Sequence, residues 1–265
     1  MNTAGVLILG SDSEIGSALN KYLIKNNIAV TGTTRKKEKI KKNTLYFDLE
    51  KPNYDLFTDK YDSVVICASK LGLAQNEKEI NEYKKINVTN TIKIIEKLAG
   101  NGSFIIYLSS HAVFNGEKVF YNHNDTTCPK TVYGKHKNEV ENYLTKNIKK
   151  NSCILRLTKV ITNNTPFIKK WKNELDNNLD IITYTNKLLS PISIEKVVDA
   201  LNVLITQKKF GIYHLGGNVE ISFTDYCKDY FKNNSKALEL ILETAASIEN
   251  NKTTHNSLLT YLPTE

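Results

Sequence analysis

The sequence predicts an α/β protein, a doubly wound parallel sheet with a small C-terminal lobe, on three observations. Short β-branched apolar runs alternate with longer stretches whose apolar residues recur at helical spacing. The first apolar run ends in a glycine-containing turn that opens directly into a helix. At 265 residues the chain is long enough for one large core with an appended lobe.

Taken in order, "GVLILG" (5–10) reads as a buried first strand and residues 14–27 as an amphipathic helix. "IAVTGTT" (28–34) and "TLYFDL" (44–49) are strand-like, with a charged loop between them. "YDSVVICA" (61–68) is the next buried strand, residues 81–99 the next helix and "GSFIIYLSS" (102–110) the strand after it. A polar loop precedes a helix from about Thr131 to Lys149, and "SCILRLTKV" (152–160) resumes the strand pattern. Alternation of this kind implies βαβ crossovers and a Rossmann-type sheet with helices on both faces. Beyond residue 160 the rhythm loosens. Residues 165–178, 193–207 and 222–234 look helical, the last with Ser222 as N-cap, while 180–184 and 211–217 look extended. The expected division is a nucleotide-binding unit over 1–160 and a dependent substrate lobe over 161–265, with 188–217 returning in part to the core sheet.

Hydrophobic residues make up 40% and charged residues 24%, a globular balance that argues against disorder. No apolar run approaches the ~20 residues of a membrane span, and "MNTAGVLILG" lacks the basic start of a leader. A cytoplasmic protein is therefore expected. Cys67, Cys128, Cys153 and Cys227 are scattered without metal-ligand spacing, which suits a reducing compartment and predicts no metal site. The net charge of +8 comes from lysines spread along the whole chain. The densest cluster, "RKKEKIKK" (35–42), has no interleaved aromatics for base stacking, so no nucleic-acid partner is expected. The positive field suits a phosphorylated small molecule instead.

Three short stretches carry chemistry. In "LILGSDSEIGSAL" Gly10 permits a tight turn and Gly16 close packing of a helix, so that Ser13, Glu14 and Ile15 offer helix N-terminal amides to a pyrophosphate. An ordinary strand–helix turn would read the same way from this stretch alone. At the end of the second strand, "TGTTRKK" (31–37) holds no acidic residue to bind a ribose 2′-hydroxyl. Arg35 beside Thr34 can instead pair with a 2′-phosphate, which favours NADPH over NADH; the alternative is a solvated basic loop. In "YGKHK" (133–137) Tyr133 and Lys137 share one helical face. An ammonium beside a phenol lowers its pKa from about 10 and makes a usable acid–base pair, unless the two are only a surface pair. "LSSHAVFNG" (108–116) adds the hydroxyl of Ser110 at a strand's C-terminal end, with Ser109 competing for the role.

This ordered set resembles the extended short-chain dehydrogenase/reductases, and among them most of all the dTDP-4-dehydrorhamnose reductase family. The similar segments are "LSSHAVFNG", the loop and helix "YNHNDTTCPKTVYGKHKNEVE" (121–141), "NVTNTIKIIE" (87–96), "ILRLTKV" (154–160), "LLSPISIEKVVDAL" (188–201), "GIYHLGG" (211–217) and "NSLLTYLP" (256–263). The resemblance implies that Tyr133 is the general acid, that Lys137 holds the nicotinamide ribose and depresses the tyrosine pKa, that Ser110 orients the carbonyl and that Asn87 supports the proton-relay helix. It places Asp48 and Leu49 at the adenine, Cys67, Ala68 and Ser69 along the cofactor, and His111, Ala112, the segment from Arg156 to Val160 and the loop before Pro191 with Pro191 itself at the sugar-nucleotide pocket. It implies NADPH-dependent reduction of a keto group, in expectation the 4-keto, on a nucleotide-activated deoxysugar for surface polysaccharide. Helices 81–99 and 131–149 resemble those that pair across a homodimer in many relatives. The departures are Ser13 for a glycine, His111–Ala112 for Asp–Tyr, and His136 for a small residue before the lysine. His111 and His136 read as solvent-facing substitutions, not metal ligands. An epimerase or dehydratase on the same scaffold, or an NADP-binding regulatory protein without turnover, are the alternatives.

Overall fold

Seven parallel strands form the centre of the protein, which a computed structural model describes over residues 5–72, 75–245 and 255–263. They are β1 (Val6–Leu9), β2 (Val30–Thr34), β3 (Thr44–Tyr46), β4 (Ser63–Ile66), β5 (Phe104–Ser110), β6 (Ser152–Leu157) and a late strand, Gly211–Leu215. The shorter strands between and after these are β7 (Lys159–Ile161), β8 (Ile181–Tyr184), β9 (Leu188–Leu189), β10 (Pro191–Ser193), β12 (Ile221–Ser222) and β13 (Ile241–Thr244), so the late sheet strand is β11. The sheet runs β3-β2-β1-β4-β5-β6-β11. Its order reverses between β1 and β4, and such sheets take their ligands in the crevice at that switch, outside the carboxyl ends of the strands.

The near-continuous apolar composition of β1 and β4 follows from burial on both faces. Val6 and Ile8 join one core with Leu19 and Leu23 of α1 (Glu14–Lys25) and Val197, Leu201 and Leu204 of α6 (Ile194–Gln207). Leu7 and Leu9 join the other with Ile94, Ile95 and Leu98 of α3 (Thr91–Gly100) and Val140 and Leu144 of α4 (Val132–Asn147). The expected helix over 81–99 differs in two ways. It begins at Glu77 as α2 (Glu77–Lys84), with Asn76 accepting from the Glu79 amide, and it widens into a π-helical turn over Lys85–Asn90 before α3. Within that turn Ile86, Asn87, Val88 and Asn90 are all buried, and Asn90 donates to the Leu49 carbonyl at 2.7 Å. One inserted residue lets an apolar pair and a polar pair bury together, which a regular 3.6-residue period cannot do.

After β6 the chain builds a smaller body: α5 (Pro166–Asp176), α7 (Phe223–Tyr230) and α8 (Ser235–Glu239) enclose Ile168, Trp171, Ile181, Cys227, Phe231 and Ala237. Pairs β7·β10 and β8·β13 are parallel, and β9·β12 is antiparallel. Residues 211–215 leave this body and pair with Cys153–Leu157, completing the main sheet. Residues 246–254 and 264–265 of the expected lobe lie outside the described residues. The last described stretch, 255–263, returns to the main body. Tyr261 and His214 exchange backbone bonds at 2.9 Å, and Leu259 donates to the Tyr121 carbonyl at 2.9 Å. Gly216 lies so close beneath it that a Cβ there would sit 2.1 Å from the Leu258 oxygen. Among the described residues no helix is long and apolar enough to cross a membrane, all four cysteines are free, and no cluster of three His, Cys, Asp or Glu side chains is placed to hold a metal.

Candidate active site

The site begins at the turn between β1 and α1. Gly10 adopts φ +85°, and its Cα faces Ala68 so closely that a Cβ would lie 3.0 Å from that residue's backbone. Its amide donates to Thr33 Oγ1 at 2.9 Å, and the Ser11 amide and hydroxyl both donate to the Thr33 carbonyl. Ser13 caps α1: its Oγ accepts from the Gly16 amide at 3.1 Å and donates to the Gly10 carbonyl at 2.8 Å. Its φ of −71° suits any residue, so serine in place of glycine costs no backbone strain here. The cap does engage one amide of the first helical turn that would otherwise be open to an anion. Gly16 has no room for a side chain, since a Cβ would meet the Gly10 oxygen at 2.3 Å. Ile15 packs on the core, and the exposed Glu14 carboxylate accepts from Thr162 Oγ1 at 2.9 Å.

At the end of β2, Thr34 is buried with its Oγ1 accepting from the Lys36 amide, while Arg35 is exposed and makes no ion pair among the described residues. Asp48 is half-buried and caps the Glu50 amide; Leu49 is buried. Cys67, Ala68 and Ser69 follow β4 half-buried, and burial pushes the Cys67 thiol up to about 12, which keeps it protonated. Asn87 differs from expectation. Its Oδ1 accepts from Ser69 Oγ (3.1 Å) and from the Lys70 amide (2.7 Å), and its Nδ2 donates to the Lys70 carbonyl (2.9 Å). The side-chain amide is spent on the loop after β4, not on the helix that carries Tyr133.

α4 starts against the turn that follows β5, which brings the start of the helix with Tyr133 and Lys137 to the end of the strand that carries Ser110. Thr131 caps α4 by accepting from the Gly134 amide at 3.0 Å, and a Cβ on Gly134 would lie 2.0 Å from the Ala112 oxygen. Ser110 is half-buried, its Oγ accepting from the Ala112 amide at 3.2 Å, whereas Ser109 is buried and its hydroxyl has no partner. Of the two, Ser110 is the accessible one. Lys137 is buried; its Nζ donates to the Leu108 carbonyl at 2.9 Å and lies 4.7 Å and 5.6 Å from the ring centres of Tyr107 and Tyr133. Burial pulls Lys137 down to about 8, with Glu141 opposing. Burial also pushes Tyr133 up to about 12, contrary to the lowering that the Tyr–Lys pairing implied. The ammonium is aimed at a backbone carbonyl, so desolvation of the half-buried phenol prevails over its charge. No described residue hydrogen-bonds the Tyr133 hydroxyl.

Arg156 does not reach a pocket. Its Nη2 and Nε clamp the Glu141 carboxylate at 2.6 and 3.1 Å, and its Nη1 lies 3.3 Å from the His123 carbonyl and 3.2 Å from His214 Nε2. Both side chains of the pair are 3% exposed. The guanidinium therefore fastens β6 to α4, one turn beyond Lys137. His111 and His136 also depart from the solvent-facing expectation. His136 is buried, and His111 is half-buried with its Nδ1 buried and without a hydrogen-bond partner among the described residues; burial lowers the pKa of both. Ala112 and Pro191 are half-buried, Pro191 pairing with Lys159 in the β10·β7 ladder. Lys159, inside the expected pocket segment 156–160 but not singled out there, is exposed two residues beyond Leu157, the register partner of Ser110. An open groove of about 430 Å³ bordered by Glu96, Tyr143 and Asn147 lies at the opposite end of α4 from Tyr133 and gathers no catalytic set.

The family described as "RmlD substrate binding domain" matches residues 4–260. A dTDP-4-dehydrorhamnose reductase of Sinorhizobium fredii is 28% identical over 202 residues, 69% of this chain and 68% of that protein. The crystal structure of a dTDP-4-dehydrorhamnose reductase from Clostridium acetobutylicum superimposes with a TM-score of 0.82 at 21% identity, over 97% of this chain and 90% of that one. A Bacillus anthracis dTDP-4-dehydrorhamnose reductase in complex with NADP gives 0.81 at 17% identity, over the same 97% and 90%. At these identities the two structures speak to the fold.

The Arg156–Glu141 pair sets a stability test. Glu141→Ala leaves a buried guanidinium without its counter-charge and is expected to cost about 3–5 kcal/mol in urea unfolding, while the double variant Glu141→Met/Arg156→Met recovers most of the loss.

Proposed function

The chain belongs to the RmlD substrate binding domain family, and from that premise we propose that it is an NADPH-dependent oxidoreductase that reduces the 4-keto group of a nucleotide-activated deoxysugar. The observation that carries the reading is the seam between α4 and the turn after β5, which gathers Tyr133, Lys137 and Ser110 at the carboxyl edge of the sheet. The relatives' names, and the NADP held by the Bacillus anthracis protein, support the same substrate and cofactor class.

The residues present fit NADPH. The tight Gly10–Gly16 turn opens α1 at the carboxyl end of β1, the end of β2 carries no carboxylate, and Arg35 stands exposed beside Thr34 for a 2′-phosphate. When bound, NADPH supplies the hydride. Ser110 donates a hydrogen bond to the substrate carbonyl oxygen and polarises it. Tyr133 gives its proton to that oxygen, and its raised pKa keeps the acid loaded at neutral pH. The phenolate that remains lies near the Lys137 ammonium, which offsets its charge. Asn87, through Ser69 and Lys70, fixes the loop after β4, which would line the nicotinamide side of a bound cofactor. The reading includes a substrate lobe built from the parts of residues 161–265 that leave the main sheet and its core, a homodimer paired through helices 81–99 and 131–149, and a cytoplasmic role in supplying surface polysaccharide.

Two measurements test it. Tyr133→Phe is expected to lower turnover by at least ~100-fold, followed as loss of NADPH absorbance with dTDP-4-dehydrorhamnose, with NADPH affinity unchanged; near-normal turnover contradicts the assignment. The wild-type kcat/KM is expected to fall as pH rises through about 8, because the Lys137 ammonium is protonated below that value and lost above it. A flat profile across that range contradicts the role given to Lys137.

A further inference from the structure

Three cations lie near the carboxyl end of β6, and two are committed. Lys137 donates to the Leu108 carbonyl beneath Tyr133, and Arg156 is consumed by Glu141, His123 and His214. Lys159 is placed differently. Its backbone is tied at the seam of the two bodies, where β7 runs beside β10 and its amide donates to the Ser190 carbonyl at 3.2 Å. Along β7 the side chains alternate, Val160 packing on the main core and Ile161 on the lobe core. Lys159 falls on the lobe side, with its Nζ 5.9 Å from the ring centre of Phe167 in the first turn of α5. It is exposed and makes no ion pair among the described residues, yet its charge lies close enough to His111 to oppose protonation there.

His111 is the residue after Ser110. Its Nδ1 is buried and has no hydrogen-bond partner among the described residues. Buried polar atoms are nearly always paired, so an unpartnered ring nitrogen in the residue after the hydroxyl that orients the substrate points to a hydrogen-bond partner brought by the ligand. Resting on the sugar-nucleotide reading, we infer that Lys159 anchors the diphosphate of the sugar nucleotide and that His111 Nδ1 makes a hydrogen bond with a hydroxyl of its sugar. Ser110, His111 and Lys159 then run outward from the reacting carbonyl in the order in which the substrate presents carbonyl, hydroxyl and diphosphate. A lysine suits the outer position because its ammonium is a compact point charge on a flexible stem, and Phe167 supports it.

Calorimetric titration of wild-type protein, Lys159→Gln and Lys159→Arg with dTDP and UDP tests the inference, with thymidine, uridine and NADPH titrated in parallel. Lys159→Gln is expected to weaken nucleoside diphosphate binding by ~10-fold or more and to leave nucleoside and NADPH binding unchanged, while Lys159→Arg stays within about threefold of wild type. Equal diphosphate affinity in wild type and Lys159→Gln overturns the role of Lys159 alone. Wild-type protein that binds neither diphosphate overturns the sugar-nucleotide reading as well. dTDP-glucose titrated beside dTDP reads the histidine: His111→Phe is expected to reduce the affinity gained from the sugar, and an undiminished gain overturns its part.

Discussion

The approach of α4 to the turn after β5 is the constraint on which the site depends. Helix and turn touch through Gly134 and the Ala112 carbonyl, and a single methyl group at residue 134 would close to 2.0 Å from that oxygen. With the gap closed, one helical face presents Tyr133, Lys137 and Glu141 to the sheet, and each meets a different strand-end group. Tyr133 comes to the edge beside Ser110, Lys137 reaches the Leu108 carbonyl, and Glu141 meets Arg156 on β6. A buried ion pair is an expensive way to hold a helix, because both charges lose their water. What it adds is direction: a bidentate guanidinium accepts a carboxylate in few orientations, so it fixes how α4 is rotated and not merely that it packs.

The loops around this seam are held by side-chain amides and hydroxyls in place of longer elements. Asn87 binds the loop after β4, Ser13 closes the first turn on itself, and Asn256 ties the returning C-terminal stretch to Leu188 and Glu220. Each restrains backbone that carries few packing contacts, and each leaves the strand ends open to a ligand. The electrostatics follow from burial more than from pairing. Tyr133 is raised and Lys137 lowered for the same reason, loss of water, which leaves an acid that keeps its proton above a cation able to receive the charge it leaves.

The main sheet was legible in the sequence because its strands are buried on both faces and therefore apolar along their length, as in "VLIL" and "SVVI". Gly10 and Gly16 were legible because only glycine fits those positions. The π-turn at Lys85–Asn90 was not, since one inserted residue barely disturbs a 3.6-residue pattern over nineteen positions. Arg156 was misread because a sequence shows a charge but not the partner fifteen residues away that consumes it. The direction of the Tyr133 shift was misread for a related reason: spacing reveals that a lysine is near, while burial, which decides the outcome here, depends on the whole fold. Lys159 lay inside the segment 156–160 expected at the pocket, but nothing in the sequence set it apart from Arg156 until its neighbours were seen to be spent.

Gly134→Ala tests this account most directly. The variant leaves the Gly10–Gly16 turn untouched, so NADPH binding should persist while α4 is pushed off the Ala112 turn and turnover falls on the order of 100-fold, the usual cost of displacing reacting groups by about 1 Å. Turnover equal to wild type, with cofactor bound and the fold intact, would contradict it, because the proton donor and the carbonyl-orienting hydroxyl would then not depend on that contact.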